Sequence, residues 1–278
     1  MSEPGTRGGA QVHPFDDAIA LAPRGGGTYT GATSPAYANM VGPYGGITAA
    51  TLLEGVERHP ERIGTPVSLT VNYAGPVGDG EFTVTARPAR TNRSTQHWSV
   101  ELTQDGVVVT TATAVYARRR DTWESTEAAM PDVPPPGDVL VSAMPDYVQW
   151  AKNYEMRYLE GPVPSLEGAG ESADSTTTLW VRDAPARPLD FPGLTSLCDV
   201  FYPRVFLRRG QAMPAGTISL TVYFHADADA LAAQGDRPVL ARARANRFGR
   251  GYFDQSAFLW GTDGALLATT HQLVYFKG

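Results

Sequence analysis

The sequence predicts an α+β fold built twice over, each half a single helix followed by long antiparallel strands that wrap around it and bury it. Three observations predict this. A helical stretch followed by runs of alternating, β-branched-rich residues occurs in both halves of the chain. The halves match locally: Ser68-Leu-Thr-Val71 answers Ser219-Leu-Thr-Val222, and Asp105-Gly106 before a strand ending in Val115-Tyr116 answers Asp263-Gly264 before Val274-Tyr275. Between the halves, residues 121–145 turn acidic, small and proline-rich around Pro134-Pro-Pro136, the composition of a linker. The expected organisation is a loosely ordered stretch over 1–12, a first domain over 13–120, the linker, and a second domain over 146–278.

Composition narrows the function classes. A chain of 278 residues can bury a sizeable core, and two domains are the natural prior. The net charge of -6 is spread along the chain and no basic run exceeds Arg118-Arg119-Arg120, so nucleic-acid binding is not expected. Cys198 is the only cysteine, which excludes an internal disulfide and a cysteine zinc site and fits a reducing, cytoplasmic setting. Its place on the apolar side of a helix, without a neighbouring histidine, favours packing over nucleophilic chemistry. The Gly-, Pro- and Ser-rich N-terminus lacks the apolar core of a signal peptide, and no segment is apolar for long enough to span a bilayer.

Taken in order, residues 17–31 read as a strand, a turn at Arg24-Gly-Gly-Gly27 and a second strand. Tyr44-Gly45-Gly46 then leads into a buried helix from Ile47 to Arg58, with Ile47, Ala50 and Leu53 on one side. Glycines at a helix entry let another group approach the backbone, and the first N–H groups of a helix are free to meet an oxyanion. Strands follow at Pro66–Tyr73, Glu81–Arg87, Gln96–Thr103 and Val107–Tyr116, with hairpin chemistry at Gly78-Asp-Gly80 and Gln104-Asp-Gly106, so a meander is expected. In the second half, strands are expected at Asn153–Leu159 and Ser175–Arg182. A helix over Leu194–Leu207 comes next, bent or ended at Pro203, and then strands at Gly216–His225, Val239–Ala245, Gly251–Trp260 and Ala265–Phe276.

The second helix carries one carboxylate, Asp199, among Leu197, Cys198, Phe201, Val205 and the aromatic Tyr202 and Phe206. A surface helix with Asp199 in water is the competing reading. Comparing the halves weighs against it, because packing residues should recur in both copies while residues for chemistry need appear in only one. The first helix has no carboxylate in its apolar portion. Where the last strand of the first half has Thr113-Ala114, the second has His271-Gln272. Thr217 opens the second half's first long strand where the first half has Pro66-Val67. Asp199, Thr217 and Gln272 therefore form a polar set without a counterpart.

With these residues the chain resembles the acyl-CoA thioesterase II, or TesB-like, family of double-hotdog enzymes. The resemblance runs from the Tyr44-Gly-Gly46 helix entry through Ser68-Leu-Thr-Val-Asn-Tyr73 and Gly75-Pro-Val-Gly78 to the last strand. It implies a tandem hotdog fold and hydrolysis of acyl-CoA by a water that an Asp on the second helix, a Thr opening the next strand and a Gln on the last strand orient and activate. These fall on Asp199, Thr217 and Gln272. The chain departs from better-known members at Ala226-Asp-Ala-Asp-Ala230, where an Arg-Pro is common.

Thioester hydrolysis needs a placed water, a base for its proton, and donors facing the carbonyl oxygen. Asp199 is the expected base, its pKa raised by apolar surroundings. Thr217 and Gln272 can each donate and accept, which suits holding a water. Tyr44, Gly45 and Gly46 are the expected oxyanion and substrate-binding wall. No metal or redox cofactor is called for, and His225 and His271 are expected to be structural. Tyr223, Phe224, Phe258 and Trp260 are expected as core or acyl-tunnel lining. The expected partner is acyl-CoA, with a homo-oligomer, a pair of double hotdogs, in keeping with the resemblance. A non-catalytic acyl-CoA-binding protein is the alternative of a different class. A hotdog dehydratase would need an Asp/His pair near a helix start, and no such His is evident.

Overall fold

The computed structural model describes residues 12–144, 148–164 and 170–278. The expectation of a loosely ordered N-terminus falls almost wholly on residues outside these, as does Pro145 at the end of the linker. The first half runs α1 (Pro14–Ala18), β1 (Ala22–Gly25), β2 (Thr28–Ala32), α2 (Gly45–Glu57), β3 (Thr65–Tyr73), β4 (Glu81–Thr91), β5 (Thr95–Gln104) and β6 (Val107–Ala117). The second half runs β7 (Tyr154–Glu160), β8 (Thr177–Asp183), α3 (Phe191–Leu197), α4 (Arg204–Arg209) and β9 (Ala215–Phe224). It ends with α5 (Ala228–Gln234), β10 (Val239–Arg244), β11 (Phe248–Gly249), β12 (Tyr252–Trp260) and β13 (Leu266–Phe276).

All thirteen described strands join one antiparallel sheet in the order β1-β2-β4-β5-β6-β3-β9-β13-β12-β10-β8-β7, with β11 paired to β12. The order reads the same from both ends about the β3–β9 contact, where Thr70 lies opposite its own equivalent, Thr221, and their hydroxyls are 3.1 Å apart. The two halves are thus related by a pseudo-twofold axis through that pair. The sheet curls over α2 and α3, which pack side by side beneath it. Alternation places the apolar residues of each strand on the helix side, as in β5, where Trp98, Val100 and Leu102 are buried and their neighbours are not. The fold is a tandem hotdog.

The structure corrects the expected meander. β4, β5 and β6 form one, and Asp105-Gly106, both at positive φ, closes the two-residue hairpin between β5 and β6. Gly78-Asp-Gly80 closes no hairpin, because β3 pairs with β6 and not with β4. That arrangement leaves the other edge of β3 open for β9, and the exposed edges of two half-sheets satisfy each other.

The helix expected over Leu194–Leu207 is also two pieces. α3 ends at Leu197, Asp199 lies just beyond it, and α4 begins after Pro203. A proline at 203 cannot donate to the carbonyl of Asp199, and tertiary bonds to the segment between fix the break one turn earlier than the sequence suggests. Two short helices, α1 and α5, went unread, although His13 and Asp227 cap them with their own side chains.

Residues 128–139 lie over the outer face of β8, β10 and β12. Trp180 and Trp260 donate to the carbonyls of Pro134 and Ala128, and Met130, Val133 and Val139 pack on them. Trp260 is therefore buried beneath this segment rather than in a tunnel. Tyr223 and Phe258, also expected inside, lie on the outer face at 51% and 37% exposure, while Phe224 is buried edge-on against Phe191. No helix of the described residues is long and apolar enough to cross a membrane.

Candidate functional site

The polar set converges where the N-terminus of α2 meets the C-terminus of α3. Asp199, only 8% exposed, accepts a hydrogen bond at Oδ1 from Gln272 Nε2 at 2.8 Å. The Oε1 of the same amide accepts from Thr217 Oγ1 at 3.2 Å. Three residues from a helix end and two strands, 55 and 73 positions apart along the chain, form one continuous chain of bonds. β9 and β13 are neighbours, with Thr217 opposite Val274, so the Thr217 and Gln272 side chains meet across the ladder. Asp199 comes down on them because α3 stops at Leu197.

Burial dominates the electrostatics. It pushes the Asp199 carboxyl up to about 7, against the opposing pull of the Gln272 amide and the backbone N–H of Gly46. The carboxylate is therefore poised to take or give a proton near neutrality. Burial likewise drives the Cys198 thiol well above its ordinary range, so it is a packing residue and not a nucleophile.

The Tyr44-Gly-Gly46 entry touches the same carboxylate. At Gly45 a Cβ would come within 2.7 Å of Asp199 Oδ2, so the absence of a side chain leaves that oxygen its space. At Gly46 a Cβ would strike the Ser196 carbonyl and the Tyr44 ring, both at 2.6 Å, so this glycine sets the close approach of α2 and α3. The Tyr44 hydroxyl is committed to Ser196 O at 2.6 Å, and its ring stacks on Trp150 with centroids 4.2 Å apart. Of the proposed wall, Gly45 and Gly46 border Asp199 directly and Tyr44 buttresses the helix end behind it.

Sequence reasoning passed over the residues that brace this arrangement. Tyr73 donates to Gly45 O at 2.8 Å, and Tyr154 pairs with the Ser196 hydroxyl at 2.7 Å, so both helix ends are pinned by phenols. Arg204, fully buried, donates through Nε and Nη2 to Tyr202 O and through Nη1 to Thr177 Oγ1 and Ser175 O, fastening the elbow after Asp199 to β8. Its burial lowers its pKa to about 10, which leaves it charged. Nothing in the local sequence distinguished Arg204 from its less buried neighbours Arg208 and Arg209, because its partners Ser175 and Thr177 are distant in the chain. His225 and His271 bond Thr269 and Ser256 on exposed positions of the sheet, away from Asp199. Among the described residues no group of three or more His, Cys, Asp or Glu side chains gathers as a metal site.

Comparisons with known proteins identify the family and the fold. Residues 34–117 match the model of an acyl-CoA thioesterase N-terminal domain, and residues 124–276 that of an acyl-CoA thioesterase C-terminal domain. The chain is similar to a conserved protein of unknown function with a hot dog fold from Alicyclobacillus acidocaldarius. The two are 49% identical, with a TM-score of 0.92 over 96% of this chain and 99% of that one. A candidate thioesterase II from Thermobifida fusca YX is 20% identical, with a TM-score of 0.82 over 95% and 97% of the two chains. A TesB protein of Mycobacterium avium subs paratuberculosis is 18% identical, with a TM-score of 0.76 over 95% and 98%. At these identities the last two speak for the fold. No match is found among curated proteins.

Proposed function

The chain belongs to the acyl-CoA thioesterase family, in its TesB-like double-hotdog form, and from that membership we propose that it hydrolyses acyl-CoA to the free acid and CoA through a water activated by Asp199, Thr217 and Gln272. The observation that carries this reading is the chain of bonds from Thr217 through Gln272 to a buried carboxylate whose pKa burial raises. Oδ1 of Asp199 is spent on Gln272, and Oδ2 takes the space that a Gly45 side chain would fill. A water hydrogen-bonded to Oδ2 gives it one proton, and its oxygen adds to the thioester carbon. The tetrahedral intermediate collapses with loss of the CoA sulfur, which leaves as the thiol with the proton that Asp199 returns. Gln272, locked by Thr217, keeps the carboxylate from rotating away. The start of α2 at Gly45 and Gly46 forms the wall beside the reacting carbonyl.

Thiol release from a panel of acyl-CoA thioesters of increasing length tests the proposal directly. Turnover of at least one supports it. Absence of release from all of them, with the same compounds raising Tm, would favour a non-catalytic acyl-CoA-binding protein. Because the base must be ionised, kcat/KM should rise with pH and level off above an apparent pKa of about 7. A profile already flat from pH 5 upward would sink Asp199 as the base. Gly45→Ala should place a methyl against Oδ2 and cut kcat about tenfold or more while the protein stays folded. Steady-state kinetics beside a melting curve distinguishes this from general unfolding.

A further inference from the structure

Two donors beside the site have no partner. Gln255, on β12, lies directly opposite Gln272 on β13 in the sheet register, so the two side chains share the helix-facing side with Cα atoms about 5 Å apart. Gln255 is 2% exposed, and its Nε2 has no hydrogen-bond partner. One step along β13 on the same face, the Thr270 hydroxyl is also buried without a partner. Buried amides are nearly always bonded, and an orphan costs about 1–3 kcal/mol.

The pseudo-twofold shows that the fold does not demand these groups. Leu69 pairs with Ala114 as Leu220 pairs with Gln272, and Ala114 pairs with Trp98 as Gln272 pairs with Gln255. By the same register Thr270 answers Ala112. In the first half this patch is an indole over two methyls. In the second it is two amides and a hydroxyl, and only Gln272 has its bonds made. Meanwhile the Gly46 N–H is turned to the Asp199 carboxylate, and both ends of the Gln272 amide are engaged. The unspent side-chain donors adjoining the bonded set are the Thr270 hydroxyl and the Gln255 amide, and of the two the longer reach belongs to Gln255.

A thioester carbonyl oxygen is an acceptor only, and it is the atom on which charge collects as water adds. We propose that Gln255 is a substrate-contacting residue of this site, its free amide N–H donating to the carbonyl oxygen of the bound thioester. This rests on the acyl-CoA reading above. As the water oxygen bonds to carbon, the π pair moves onto the oxygen held by Gln255. Its return breaks the carbon–sulfur bond and releases the hold.

The test uses the full chain, Gln255→Leu and Gln255→Met, and two non-hydrolysable probes: hexyl-CoA, a thioether without a carbonyl, and the ketone in which a methylene replaces the sulfur of hexanoyl-CoA. Both variants should lose about 10²-fold in kcat. Ketone affinity should fall tenfold or more while thioether affinity stays within twofold, and Tm should hold or rise because an orphan amide has been removed. Unchanged kcat with unchanged ketone affinity overturns the proposal. So does equal weakening of both probes with a lower Tm, which would mark a structural amide. If wild type hydrolyses nothing yet its ketone preference depends on Gln255, hydrolysis fails and the carbonyl contact stands. If wild type binds neither probe, both fall.

Discussion

Asp199→Asn is expected to reduce acyl-CoA hydrolysis by roughly 10²–10⁴-fold, the range a positioned general base contributes, and at the same time to make the protein more stable at neutral pH. The two effects have one cause. The carboxyl is buried, and its pKa is raised to about 7 from 3.8. A carboxyl whose folded-state pKa is raised lets the folded state hold a proton that the unfolded chain has already lost. Its contribution to stability is therefore fully present below about pH 4 and is lost as pH rises through 7. Asparagine keeps the shape and a hydrogen bond with Gln272 without the charge, so it escapes that loss. Chemical denaturation of wild type and variant at pH 8 and pH 4 should show a gain at pH 8 that shrinks on acidification. An equal or lower stability at pH 8 would mean that the carboxylate is better solvated than its 8% exposure implies. The expected gain at pH 8 would mark the site as one where activity is kept at the expense of stability.

Gln272→Leu should have the next largest effect, about 10²-fold on kcat with a smaller change in KM. It removes the 2.8 Å donor to Asp199 and the acceptor for Thr217 together. Since that donor lowers the carboxyl pKa, the acid limb of the pH profile should also move to higher pH, which loss of packing alone would not produce. Thr217→Val, which keeps the Gln272–Asp199 bond and frees the amide only at its other end, should cost less. If the limb stays at the wild-type pH in Gln272→Leu, Gln272 orients something other than Asp199. Circular dichroism of the variant guards against mistaking unfolding for lost chemistry, and leucine is close in size to the glutamine it replaces at a position that is 3% exposed.

Several parts of this molecule were open to reading along the chain and others were not, for identifiable reasons. The long strands declared themselves because a half-buried strand alternates: Glu81–Thr91 and Leu266–Phe276 alternate through most of their length. The same parity, followed one step further, separates buried Phe224 from exposed Tyr223. Duplication marked Asp199, Thr217 and Gln272 as departures from the repeat, and the structure brings the three together. Gln255 was missed because its counterpart is Trp98, and a local comparison by hairpin and strand end does not align the two.

What the sequence by itself determined is the run of long strands, their duplication, and which polar residues belong to one half only, since all three depend on local periodicity or on matching one stretch with another. Tertiary structure alone decided that β3 sits beside β6 and β9, that α3 stops before Asp199, and that Arg204 and Tyr73 brace the helix ends. Those outcomes rest on hydrogen bonds between groups far apart in the chain and on sheet edges that must find partners, and neither leaves a local mark.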